Sequence, residues 1–336
     1  MRPLSQHNEH SLPGTAIGVD LGGTQLKLVV LRGDRCALRL RAPVLAHSDG
    51  VKIVEQIAVA VEHAQVVTRL PRDARRRPLG VSLPGLLDER RRTPRFVANL
   101  PCLAEFPLAA RLSGRLKRRV ILEPDSNAGA VGEAMVGAGR GVGRVLYLTL
   151  GTGVGAALVV EGVPVRVSHH TIGQVAHIRI AATGPRCSCG GRGCVESTLS
   201  AGGIVARALR ARRAGARIPR DSCASAHAVA EAGRGGSTAA RHLLREVGEL
   251  LGETCALLVN LFSPDIVVVG GGVSLAGELL LVPAQTRMAE RLIPRLRGRV
   301  LIRRAKLAPF SGAFALPAVR VPRDRGRAGD AARADP

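Results

Sequence analysis

Apolar residues along this chain fall into short blocks punctuated by glycine. TAIGVD (15–20) is an apolar run that predicts a strand ending at Asp20. The turn LGGT follows, QLKLVVL (25–31) predicts a second strand, and RGDR turns the chain again. Much later, VLYLTL (145–150) runs into GTGVG and out through AALVVEG. This repeats the same order of apolar strand, Gly/Thr turn, apolar strand and small polar turn, and it reads as an internal duplication. Two such units, each followed by further strand and helix patterns, predict an α/β protein with two similar lobes facing each other across a cleft.

Between the copies, VKIVEQIAVAVEHAQVV (51–67) has helical spacing of apolar residues, and PLGVSLPGLLD (78–88) reads as a buried strand leaving through a Pro-Gly turn. VILE (120–123) predicts a strand ended by Pro124, and SNAGAVGEAMVG (126–137) a helix of small residues able to pack close to a neighbour. RHLLREVGELLGETCALLVNLF (241–262) is helical in pattern. PDIVVVGGGVS (264–274) predicts a last strand running into a triple-glycine turn.

The chain has 336 residues and a formal charge of +23, carried almost entirely by arginine, with lysine only at Lys27, Lys52, Lys117 and Lys306. The excess is scattered over 75–77, 90–92, 210–213 and the tail, with one Tyr, no Trp and five Phe to stack on bases, which argues against a nucleic-acid partner. No apolar run is long enough to span a bilayer, so no membrane partner and a cytoplasmic location are expected. Residues 1–14 carry no apolar signal-peptide core, and 321–336 are polar and Arg-rich. Both ends are expected to be disordered tails.

The densest chemistry lies in HIRIAATGPRCSCGGRGCVE, 177–196. His177, Cys187, Cys189 and Cys194 make a set of three sulfurs and one imidazole, the ligand complement of a closed structural zinc site. Gly190, Gly191 and Gly193 let a short loop fold back on itself. Disulfide pairing would leave a thiol over, and no secretory signal precedes it. A closed site holds a loop in shape and leaves the chemistry to its neighbours.

Glycine turns directly after strands offer backbone N–H groups to an anion without side-chain obstruction. Gly22, Gly23 and Thr24 form one such turn, and Gly151, Thr152, Gly153 and Gly155 the other. Opposed copies would grip a polyphosphate from both sides, with Asp20 reaching its magnesium through water. The run Gly270, Gly271, Gly272 either admits a flat nucleoside or simply makes a tight turn. Asp125 follows a strand and opens a helix, so it either caps that helix or projects into the cleft as the carboxylate that phosphoryl transfer needs.

These segments resemble the ROK family of bacterial sugar kinases and sugar-responsive repressors. DLGGT at Asp20, LPG at Leu83, NLP at Asn99, DSNAGAVGE at Asp125, GTGVG at Gly151, GQVAH at Gly173, CSCGGRGCVE and VVVGGGVS occur in the family's order, from Thr15 to about Ala318. The resemblance implies an actin-like ATPase (ribonuclease H-like) fold. A first lobe would span 15–122, completed by a segment near 310–320, and a second would span 123–309. It implies ATP with magnesium as co-substrate, structural zinc and a sugar in the cleft. The catalytic base falls on Asp125, the sugar contacts on Asn99, Asp125, Gln174, His177 and Glu196, and the zinc ligands on His177, Cys187, Cys189 and Cys194. A homodimer is implied on the same basis.

Two departures fall in the implied sugar pocket. Pro124 stands where the family usually has Asn before the catalytic Asp, and Gln174 stands for the Glu of GExGH. His169 and His170, in the altered approach SHHTI, read as exposed loop residues. The expected activity is phosphorylation of a hexose or N-acetylhexosamine, and the competing reading is a non-catalytic sugar-binding regulator. Only about fourteen residues precede the first strand, where the family's repressors carry a DNA-binding domain, so a DNA-binding repressor is not expected.

Overall fold

The apolar blocks at 15–20 and 25–31 form β1 (Thr15–Leu21) and β2 (Gln25–Arg32), an antiparallel pair joined by the first glycine turn. The computed structural model describes residues 14–33, 35–44, 49–97, 99–167, 170–181, 183–308 and 310–315. Apart from Gly14, the two expected tails lie outside these, and the segment near 310–320 is described as far as Ala315. β3 (Arg35–Pro43) continues the meander at the sheet edge, its leucines alternating with arginines that discourage pairing with a foreign strand. α1 (Gly50–Val67) is capped by Asp49, whose side chain accepts the Lys52 N–H at 2.8 Å, and it turns Ile53, Ile57, Val61 and Ala64 into the core. The short α2 (Arg72–Arg76) leads to β4 (Leu79–Leu83). A separate hairpin follows, β5 (Leu86–Leu87) and β6 (Pro94–Phe96), then α3 (Leu108–Leu116) and β7 (Val120–Pro124). The first sheet has the order β3-β2-β1-β4-β7, with β4 and β7 parallel to β1.

After α4 (Asp125–Val136) the plan repeats. β8 (Arg144–Leu150), β9 (Val154–Val160) and β10 (Val163–Pro164) form the meander, followed by α5 (Val195–Leu199), α6 (Ala201–Arg213), α7 (Ala226–Arg234) and α8 (Thr238–Phe262). β11 (Ile266–Gly270), α9 (Glu278–Arg291), β12 (Leu301–Arg304) and α10 (Ser311–Ala315) complete the described chain. The second sheet is ordered β10-β9-β8-β11-β12, element for element the order of the first. The duplication in the sequence is therefore a duplication of topology, and the arrangement is the actin-like ATPase fold. One expectation needs correcting: the strand at 264–274 is not the last. β12 follows it and pairs in parallel with β11. Its four residues, LIRR, carry too little apolar pattern to be read as a strand; the neighbouring ladder supplies what the pattern lacks.

The small residues of α4 let it lie close over the second sheet, with Ala128, Ala130 and Val131 packed among Val145, Tyr147, Ala157 and Val159. A methyl on Gly129 would fall 2.8 Å from the Tyr147 ring. Overpacking of that kind costs about 1–3 kcal/mol, so the helix has to be lined with small side chains here. Buried Glu133 ties the end of the chain to α4. It accepts the N–H groups of Ala138, Lys306 and Leu307 at 2.8–3.0 Å and the Ser311 hydroxyl at 3.1 Å. Phe310 then packs with Val29 and Leu31, so the chain returns to the free face of the first sheet.

Candidate functional site

A cavity of about 440 Å³ opens between the two sheets, a size suited to a small-molecule ligand. Both glycine turns line it. In the first, the Gly22 N–H donates to Gln25 O at 2.9 Å, and Gly23 lies so close to Asn99 that a methyl would collide with that side chain. In the second, the Gly151 N–H donates to Gly153 O at 2.9 Å. Glu196, in the first turn of α5, accepts the Val154 N–H at 3.2 Å and the Ser188 hydroxyl at 3.3 Å, so its carboxylate is held against this turn. Thr24, Thr152, Gly155, Gly271 and Gly272 complete that part of the wall. Gly271 has φ 79 and leaves no room for a side chain beside the Leu150 carbonyl, so only glycine fits there.

Three acidic groups and one cation face this space. Asp20, at the end of β1, accepts the Ser82 hydroxyl at 2.8 Å on one oxygen and pairs with Lys27 Nζ at 3.1 Å on the other. The placement follows from the ladder, since Lys27 on β2 lies directly opposite Asp20, and Ser82 sits beside it on β4. Asp125 is the first residue of α4; Pro124 occupies the cap position, so Asp125 is not the helix cap. One of its oxygens accepts the Ser126 N–H at 2.7 Å. Burial, and then the nearby charge of Asp20, push its carboxyl up to about 7, against the lowering effects of the Ser126 N–H and Lys27. A carboxyl that titrates near neutral pH can hold or release a proton at the pH where an enzyme works. Lys27 is the one cationic side chain among the described residues of the wall.

Beside the cavity, His177, Cys187, Cys189 and Cys194 come together with all four ligand atoms within 4.8 Å of one another. The segment after His177 pairs with Cys194 through an Arg179–Cys194 bridge and a 2.9 Å bond from the Val195 N–H to Ile178 O. Gly190 and Gly193 take φ 89 and φ 68, which lets the loop reverse. The Cys189 and Cys194 sulfurs are 3.7 Å apart, and Cys187 Sγ is 3.6 Å from His177 Nδ1. Ligands about 2.3 Å from a tetrahedrally bound zinc would be separated by roughly 3.8 Å, so donor types and spacing both fit that ion.

Not every expected residue reaches the cavity. Gly270 sits behind it, where a side chain would collide with the Tyr147 hydroxyl, so it serves packing. Gln174 is exposed and off the wall, and His177 faces the cysteine cluster. His169 lies outside the described residues. His170 corrects an expectation: it is half-buried rather than an exposed loop residue, with Nε2 2.9 Å from Asp88 O and its carbonyl accepting Asn127 Nδ2 at 2.6 Å. Sequence reasoning also passed over wall residues. Lys27 is one of only four lysines in an arginine-rich chain, a signal that could have singled it out. Tyr147, Ser311 and the half-exposed Phe96 gave no such sign.

The match to known proteins now has a geometry to refer to. The model of the ROK family matches residues 16–318. The chain belongs to the ROK family. This ROK protein is 30% identical over 293 residues to a glucokinase of Thermotoga maritima, covering 84% of this chain and 89% of that one. It is 29% identical to an N-acetyl-D-glucosamine kinase of Pectobacterium carotovorum, with 82% and 90% covered. A crystal structure of a ROK family glucokinase from Streptomyces griseus, in complex with glucose and AMPPNP, superposes with a TM-score of 0.74 at 28% identity, covering 91% of this chain and 98% of that one. Among the described residues, no helix is long and apolar enough to cross a membrane.

Proposed function

We propose that this ROK protein is an ATP-dependent sugar kinase that phosphorylates a hydroxyl of a hexose or an N-acetylhexosamine, with Asp125 as general base. The observation that carries the assignment is the Asp125 carboxyl, raised toward neutrality at the junction of two opposed glycine turns. The phosphates of ATP lie between Gly22–Thr24 and Gly151–Gly155, where backbone N–H groups and Lys27 meet their charge. Gly271 and Gly272 leave the backbone bare for the nucleoside. Asn99, Asp125 and Glu196 hold the sugar hydroxyls. Asp125 orients the accepting hydroxyl and takes its proton as the phosphoryl group passes across.

Asp20, kept in place by Ser82, is the carboxylate that would hold magnesium through water. That ion supplies charge neutralisation on the phosphates. His177, Cys187, Cys189 and Cys194 would hold zinc, which supplies a rigid fold for the loop that carries Glu196. The two sheets act as lobes, 15–122 and 123–309, with the segment after 309 completing the first, and they close on the two substrates. The deciding experiment is a panel of hexoses and N-acetylhexosamines offered with MgATP while ADP release is followed. A sugar that binds without any turnover would replace this reading with that of a regulator, to which Pro124 and Gln174 are the sequence pointers.

A further inference from the structure

Glu123, two residues before Asp125, is wholly buried, and two guanidinium groups converge on it from different parts of the chain. Arg91, in the β5–β6 connection, pairs through Nη1 with Oε2. Arg166, in the segment after β10, reaches Oε2 with Nη2 at 2.9 Å and Oε1 with Nε at 3.3 Å. Asn127 donates Nδ2 to Glu123 Oε1 at 2.8 Å and to the His170 carbonyl at 2.6 Å, while His170 Nε2 lies 2.9 Å from Asp88 O. Asp88 in turn accepts the N–H groups of Arg92 and Thr93 at 2.6 and 2.9 Å. None of these groups is on the cavity wall.

One arginine would neutralise a buried carboxylate. The second therefore needs another reason, and its origin supplies one: Arg91 follows strands of the first sheet, and Arg166 follows the edge strand of the second. Three segments meet at Glu123. The first, 86–99, ends at Asn99. The second, the β7–α4 junction, carries Asp125. The third, 164–177, runs on through the cysteine loop to Glu196. We propose that Glu123, clamped by Arg91 and Arg166, is a positioning residue that fixes these three segments relative to one another, so that Asn99, Asp125 and Glu196 meet the same sugar. A buried ion pair adds little net stability over an apolar packing, but removing one partner leaves an uncompensated charge, so the paired groups are held to one arrangement. The role rests on the sugar-kinase reading, but the clamp itself can be tested without it.

The test is Arg166→Gln, which leaves Glu123 paired with Arg91. In hydrogen exchange, 88–93, 126–128, 165–167 and 170–173 should exchange faster together while 151–155 stay unchanged. This needs no substrate, and unchanged exchange in those segments would overturn the clamp. In kinetics on the best sugar, kcat/KM for the sugar should fall tenfold or more while KM for ATP stays within twofold. Arg166→Lys, which keeps the charge but loses the fork, should recover part of the loss. A variant that only melts earlier, or that loses ATP and sugar recognition equally, would show a merely structural role. If Arg166→Gln does not fold, Arg91→Lys must give the same one-sided pattern, or the proposal fails.

Discussion

Asp125→Asn should cut activity and raise stability at the same time, and both effects follow from the same half-buried carboxyl. Its pKa stands at about 7, against an ordinary aspartate value near 3.9. At 1.36 kcal/mol per pH unit, holding it ionised in the folded protein costs about 4 kcal/mol relative to the unfolded chain. The sign is that of a raised carboxylate. Below about pH 4 the group is protonated in both states and there is no penalty; the penalty grows as pH rises through the window from about 4 to 7 and is level above it. Asparagine keeps an oxygen for the Ser126 N–H and never ionises, so the variant should melt several degrees above the parent at pH 8 and at the same temperature near pH 4. Turnover should fall roughly 100- to 10,000-fold, since the hydroxyl can still be bound but its proton has nowhere to go. Thermal melts across pH 4–8 alongside steady-state kinetics make the assay. A stability difference that does not change with pH would refute the raised pKa, and near-normal turnover would refute the base.

The acid limb of kcat/KM in the parent should lie near pH 7, and Asp20→Asn should move it to lower pH by removing the neighbouring negative charge, whatever it does to the absolute rate. Elemental analysis should find about one zinc per chain, and Cys189→Ser should weaken sugar binding, measured by calorimetry, more than ATP binding. Gly155→Ala would put a methyl 2.9 Å from Thr149 Cγ2 and 3.1 Å from Ser126 Cβ, so it should raise KM for ATP with less effect on sugar affinity. Glu133→Gln replaces an acceptor that serves four donors, and chemical denaturation should show a loss of about 1–3 kcal/mol.

What could be read in the sequence was local in character. Strand–glycine–strand units, the run of small residues in α4 and the His-Cys-Cys-Cys set each lie within a short stretch, and each has a steric or chemical signature of its own. The four-residue β12 had none, because its pairing with β11 supplies what its pattern does not. The groups that tune Asp125 were equally hidden. Asp20 lies more than a hundred positions away, and Lys27 reaches the cavity only because β2 runs back opposite β1. The Glu123 clamp was hidden for the same reason: in sequence it is the end of an apolar strand, and its partners Arg91 and Arg166 come from distant segments. Gln174 shows the opposite case: a motif position read as a sugar contact is, in this structure, exposed and not among the residues that line the cavity.

The duplicated topology also shows why the cleft has a direction. Asp20 faces Lys27 across the β1–β2 ladder, and at the matching place in the second copy Thr149 faces Gly155 across β8–β9. The charged pair of one lobe is thus an uncharged pair in the other. A lysine at Gly155 would be crowded at its first carbon, which would fall 2.9 Å from Thr149 Cγ2 on the paired strand and 3.1 Å from Ser126 Cβ of α4. The threonine that stands in Asp20's place and the helix that brings Asp125 to the cavity together disfavour a second cation at that position. On the proposed reading, negative charge developing on a transferred phosphoryl group would be met from the first lobe by Lys27 and by an ion that Asp20 would hold, while the second lobe offers backbone N–H groups and the uncharged hydroxyls of Thr149 and Thr152. Asp125 enters between the two, with Lys27 close enough to lower its pKa, so on that reading the proposed base and the one cation among the described wall residues would act at the same end of the phosphate chain.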